Sequence, residues 1–184
     1  MPMQPLISKM EATPANGKLH LFSLCADFPS CVRARWAASA IIKMAGQRWR
    51  SSSEMWKIDS LAVSPAINNM ITNDAANADV IIIAVSSLER RELELIQWLD
   101  SLAAREPKRS FPGLLIGLLG DDENKSRELD WTVKQLIRCA RQADRDFIWR
   151  WMEKSALDDS AWLAENVVNL LARKSAANNE PVFY

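Results

Sequence analysis

The chain is poor in the residues on which familiar enzyme chemistry is built. One histidine, His20, stands among 184 residues. Any Ser-His-Asp constellation would have to use it, yet it falls inside a strand-like run, where an imidazole is usually packed or bonded in place. With no cysteine pair beside it, it supports no structural zinc site. Glycines number five, and none lies in the loop after the first strand. The cradle in which glycine-rich backbone closes around a phosphate is therefore missing, which excludes a dinucleotide fingerprint and a Walker loop. Net charge is absent too, since 23 basic side chains balance 23 acidic ones. A neutral chain has no global field to gather nucleic acid or an anionic membrane. No apolar run approaches the ~20 residues that a membrane-spanning helix needs. Residues 1–17 have no basic start followed by an apolar core, so no secretory leader is expected. The three cysteines, Cys25, Cys31 and Cys139, are odd in number and irregularly spaced. Reduced thiols in a cytoplasmic protein are expected from that pattern, not a disulfide framework.

What is present is an alternation of five strand-like and five helix-like segments. Asp79 to Ser86 is the clearest strand, a β-branched run apolar on every side and too short for a helix. Before it come a strand from Lys18 to Leu24 and a helix from Cys31 to about Ala45. Ser30 is placed to cap that helix, and Val32, Trp36, Ala40 and Met44 make its apolar face. Gly46 is a reasonable stop for it. The segment from Arg48 to Ile58, with its three serines, suits an edge strand. Ser64-Pro65 starts a second helix. A third helix carries Leu93, Ile96, Leu99 and Leu102 to about Arg105, and Gly113 to Gly120 is a buried fourth strand. A fourth helix from about Arg127 to Ala143 turns Leu129, Val133, Leu136, Ile137 and Ala140 inward. Asp146 to Trp151 is the fifth strand, and Asp158 caps a last helix whose Trp162, Val167, Leu170 and Leu171 face the core.

Strands separated by helices need right-handed crossovers. The expected fold is thus an α/β three-layer, doubly wound sheet of five parallel strands in the order 2-1-3-4-5, with the polar second strand at an edge. One domain is expected over residues 18–174, between an N-terminal arm (1–17) and a C-terminal tail (175–184). In this order a ligand crevice opens at the carboxyl ends of the first and third strands, where the winding reverses. The residues mapped there are Asp27, Phe28, Ser30, Ser86, Ser87, Asp121 and Asp122, with Glu153 nearby. Carboxylates clustered there suit Mg²⁺, but solvated loop acids are the commoner occurrence, so no metal is expected. Cys25 and Cys31 invite comparison with the low-molecular-weight phosphatases, which close their cysteine loop with an arginine five residues on. Arg33 comes too late for that geometry.

Eight tryptophans against one tyrosine is unusual. Trp36, Trp98, Trp131 and Trp162 fall on or beside helical stripes, and Trp49 and Trp56 flank the edge strand. Trp149 and Trp151, two apart on the last strand, share a face. Exposed, such a pair resembles the aromatic centre of a protein interface; buried, it is core.

In order, length and strand spacing the chain resembles the receiver domains of two-component signalling and, equally, flavodoxin-like proteins of bacteria. Receivers place paired acids after the first strand, where Leu24-Cys-Ala-Asp27 offers one, and a phosphoacceptor aspartate where this chain has Ala84. Their Thr or Ser ending the fourth strand is replaced here by Gly117-Leu-Leu-Gly120, and their lysine-proline by Arg150-Trp151. The resemblance therefore implies at most a degenerate receiver, without phosphoryl transfer. The expectation is a non-catalytic module without a cofactor, acting through protein contact and self-association as a homodimer, with Trp131, Trp149, Trp151 and Trp162 as its surface. The alternative is a site for FMN or a nucleotide in the crevice. There Trp56 or Phe28 would stack on a ring, while Ser86, Ser87 and the amides near Ser30 would meet phosphate.

Overall fold

The computed structural model describes residues 17–46, 49–86, 91–105, 113–120, 127–151 and 157–177. In chain order they form β1 (Gly17–Cys25), α1 (Phe28–Ala45), β2 (Trp49–Lys57), a 3-10 turn (Ile58–Ala62), α2 (Pro65–Asn77), β3 (Val80–Val85), α3 (Glu92–Arg105), β4 (Leu114–Leu119), α4 (Arg127–Gln142), β5 (Asp146–Trp151) and α5 (Leu157–Ala177). The strands make one parallel sheet in the order β2-β1-β3-β4-β5. Residues 1–16 and 178–184, most of the expected arm and tail, lie outside the described residues.

β3 and β4 are buried along their whole length, and their side chains alternate between two cores. Ile81, Ile83 and Val85 join Leu115 and Leu119 under α2, α3 and α4. Val80, Ile82 and Ala84 join Leu114, Ile116 and Leu118 under α1 and α5. Continuous apolarity in these strands is thus a consequence of helices on both faces. Gly117 in β4 answers a local need for space, because a Cβ there would lie 3.1 Å from Leu136 and 3.3 Å from Trp149.

Several expected helix faces are rotated. α1 turns Ala34, Ala37, Ala38, Ile41 and Ala45 inward, and leaves Trp36 and Met44 exposed. Alanines let α1 approach both the sheet and α5 closely, so the bulky side chains are displaced outward. On α3 the buried set is Leu95, Trp98, Leu99 and Leu102, with Leu93 exposed. Trp98 is core and stacks on Phe22 with ring centroids 6.0 Å apart. α4 buries Thr132, Leu136, Cys139 and Ala140, while Val133 and Ile137 are half-buried and the Leu129 side chain lies outside the described residues. α5 buries Leu163, Ala164, Val167, Val168 and Leu171, with Leu170 half-buried. Trp162, expected in the core, is exposed, and Asp158 lies within the first turn of α5 instead of capping it.

At the amino end of the sheet, Arg145 is only 6% exposed. Its guanidinium donates to the carbonyls of Ala78 at 3.0 Å and of Ala75 and Ala76 at 3.4 Å, at the carboxyl end of α2. A helix end of this kind presents unpaired carbonyls and partial negative charge, which a buried cation answers. Gly113 is small for the same reason, since a Cβ on it would collide with the Arg145 guanidinium. Arg145→Met should therefore lower stability by about 2–4 kcal/mol in urea unfolding, because the carbonyls stay buried without their donor. The opposite sign is expected at Ser23. Its hydroxyl is fully buried on the α1 side of β1 and has no hydrogen-bond partner among the described residues. Ser23→Ala should raise stability by roughly 0.5–1 kcal/mol in the same assay, as an unpaired hydroxyl is removed from the core.

Candidate functional site

The crevice expected from the strand order would lie where β1 and β3 end side by side, with Cys25 paired in register to Ala84. α1 follows β1 and α3 follows β3 in the chain, and these two helices lie on opposite faces of the sheet. The first loop is short. Asp27, expected as an acid facing a ligand, is the N-cap of α1, and its carboxylate accepts from the Ser30 amide at 2.8 Å. Ser30, expected as that cap, sits inside the helix. An aspartate with extended backbone, followed by Phe28 and Pro29 at the first helical positions, outcompetes it because proline needs no donor there.

Freed from capping, the Ser30 hydroxyl reaches across the crevice. It accepts from the Ser86 amide at 2.8 Å and shares a hydrogen bond of 3.1 Å with the Ser86 hydroxyl. Arg33, one turn further along α1, donates to that same Ser86 oxygen at 2.9 Å. Ser30 itself is 1% exposed. Arg91 crosses the mouth from the start of α3, donating to the Ala26 carbonyl at 2.7 Å and pairing with Asp59 at 2.6 Å. Arg33, Asp59 and Arg91 come from separate segments, and no local sequence pattern marks them as members of this network. The amides of Ser30 and Ser86 are thus both committed within the protein, and no phosphate cradle is formed by them.

Phe28 stands beside this network with 74% of its surface exposed. Trp56 is half-buried on β2 and packs against the core on the other side of the sheet from the Cys25 side chain. Ser87, Asp121, Asp122 and Glu153 lie outside the described residues. Among the described residues no group of three His, Cys, Asp or Glu is arranged to hold a metal ion. His20 is removed from the crevice; its Nε2 lies 3.9 Å from Glu54 on β2, and its amide donates to the Asp79 carboxylate.

The cysteines correct a second expectation. Cys25 and Cys31 form a disulfide, with Cα atoms 5.1 Å apart. A strand end and the first turn of the next helix are close whenever the loop between them is short, which count and spacing alone do not reveal. Cys139 stays outside the disulfide, buried in the α4 side of the core with its thiol directed to the Leu99 carbonyl at 3.6 Å. With two of the three cysteines bonded, the thiols give no indication of a reducing compartment. No described helix is long and apolar enough to cross a membrane.

Of the four candidate interface tryptophans, Trp149 and Trp151 do lie together, edge to face with centroids 5.6 Å apart, on the α4 side of β5. Trp131 is half-buried on that same side. Trp162 lies under the opposite face, where the Arg150 guanidinium sits 4.6 Å from its ring centre. The set therefore wraps the β5 edge of the sheet from both sides.

No family model matches the chain, and no curated protein matches it. Solved structures do. An oxidoreductase from Corynebacterium diphtheriae superposes with a TM-score of 0.64 at 12% identity, over 86% of this chain and 99% of that one. A short-chain flavodoxin associated with a bacterial microcompartment gives a TM-score of 0.54 at 12% identity, over 83% and 98%. The two-electron reduced flavodoxin of Megasphaera elsdenii gives 0.53 at 12% identity, over 82% and 99%. The fold is flavodoxin-like. At this identity the likeness is one of architecture, and the flavodoxin-like scaffold carries its own crevice chemistry, described above.

The crevice network makes two mutational predictions. Asp27→Ala should cost about 1 kcal/mol through the lost cap. Ser30→Ala should cost about 1–3 kcal/mol, because it strands the Ser86 amide. Urea denaturation of each variant checks both values.

Proposed function

We propose that this chain is a non-catalytic flavodoxin-like module that works by binding a protein partner, a second copy of itself, through the β5 edge. The observation that supports this most is the exposure of Trp149 (41%) and Trp162 (48%) on the two sides of that edge. Monomer surfaces seldom leave large aromatics clustered, whereas interface centres are enriched in them. The two sheet edges also differ in how they resist pairing. β2 presents Arg50, Ser51, Ser52, Ser53 and Glu54, the polar and charged dressing that blunts an edge. β5 presents Phe147, Ile148, Trp149 and Trp151, interrupted only by Arg150. Two β5 strands running antiparallel across a two-fold axis would satisfy each other's outward amides and carbonyls and cover both aromatic pairs.

Sedimentation velocity across the micromolar range tests the reading. A concentration-dependent dimer is expected, and Trp149→Lys should weaken it by at least about 30-fold, the effect of losing one interface centre of ~2 kcal/mol. Its unfolding free energy per monomer should stay close to that of the parent. A monomer at high micromolar concentration would refute self-association.

A second reading, binding of flavin or a nucleotide in the crevice, is favoured by the exposed ring of Phe28 beside Ser30 and Ser86 and by the flavodoxin likeness. Against it stand the committed Ser30 and Ser86 amides. Saturating FMN that raised unfolding free energy by more than about 2 kcal/mol would favour this reading over the first.

A further inference from the structure

The disulfide that closes the first crevice loop is asymmetric. Cys25 ends β1 and is completely buried, while Cys31 lies in the first turns of α1 and is partly exposed. The Cys25 sulfur also sits 3.4 Å from the Trp56 carbonyl on β2. A disulfide sulfur has no hydrogen to place there, but a thiol does. The reduced form of Cys25 therefore has an acceptor in position before the bond is broken. Cys31 has a different advantage, since a sulfur near a helix amino terminus is stabilised as thiolate by the helix dipole. The loop between them is held by bonds other than the disulfide: the Asp27 cap, the Cys31 amide on the Asp27 carbonyl, and the Ser30–Ser86 bridge. Breaking the bond leaves those contacts intact, so the loop can pass between states without unfolding.

We propose that Cys25–Cys31 is a thiol–disulfide exchange site, in which Cys31 is the sulfur that partners attack and Cys25 is the one released inward. This goes beyond binding at β5 and does not depend on it. In the reductive direction a thiolate of a dithiol reductant attacks the Cys31 Sγ. The Cys25–Cys31 bond breaks, a mixed disulfide forms on Cys31, and Cys25 leaves with the electron pair, takes up a proton from solvent and, as a thiol, donates a hydrogen bond to the Trp56 carbonyl. The second thiol of the reductant then attacks its own sulfur in the mixed disulfide, releasing Cys31 as thiolate. Two electrons pass to the cystine, and the dithiol becomes a disulfide. Attack at Cys25 is blocked by its burial, which fixes the direction.

The experiment uses the full chain purified without reductant. Unfolding and alkylation should find one thiol, Cys139, and the folded protein treated with dithiothreitol before that step should give three. Brief alkylation of the reduced, folded protein followed by peptide mapping should label Cys31 at least ~10-fold faster than Cys25, following access and thiolate character. With oxidised glutathione, Cys25→Ser should acquire one glutathione at Cys31, and folded Cys31→Ser should acquire none. The wild-type mapping decides the matter should a variant fail to fold. Three results overturn the proposal: three thiols that stay free after oxidised glutathione, a bond that dithiothreitol reduces only after unfolding, or faster labelling at Cys25.

Discussion

Six consecutive buried residues in β3, and six more in β4, leave neither strand a face for water. Each strand must be covered above and below, and covering a parallel pair on both faces requires helical crossovers of one hand. The rest of the molecule follows from that constraint. α1 and α5 close one core and α2, α3 and α4 the other. The helices that follow β1 and β3, α1 and α3, belong to opposite layers. The polar edge strand β2 and the aromatic edge strand β5 are what remains when the two most apolar strands have taken places inside the sheet.

Near the carboxyl ends of β1 and β3 the described polar groups bond to one another. Asp27 caps α1, Ser30 bridges to Ser86, Arg33 joins that bridge, and Arg91 ties α3 to the Ala26 carbonyl and Asp59. The Ser30 and Ser86 amides, donors of the kind a phosphate-binding loop presents to its anion, are both satisfied in this way. Cys25 and Cys31 fasten the same loop covalently. At 12% identity the scaffold shared with solved flavodoxins is one of architecture alone, and function has to follow from side chains.

Strand positions were legible because strand signals are local. A run of β-branched residues bounded by polar ones needs no knowledge of its neighbours, and β5 begins at Asp146 and ends at Trp151 as its pattern indicated. The Ser64-Pro65 start of α2 was legible for the same reason, its serine accepting from the Ile67 amide. Helix faces were less so. In α1 two stripes compete, one of bulky side chains through Trp36 and Met44 and one of alanines through Ala34, Ala37 and Ala38. Burial potential favours the first, but the narrow space between sheet and α5 admits only the second. The cap of α1 misled similarly, since both Asp27 and Ser30 are capable of it and the choice depends on where the backbone turns.

Taken alone, the order of apolar runs determined five parallel strands and their sequence in the sheet, because burial on two faces is written into single segments. Only the tertiary structure decided that Ser30 meets Ser86, that Cys25 and Cys31 are bonded, that Arg145 stops the end of α2, and that Trp162 stays outside under Arg150. Those contacts join residues whose separation along the chain says nothing of their distance in space. Their energy depends on angles and clearances that arise once the layers have packed.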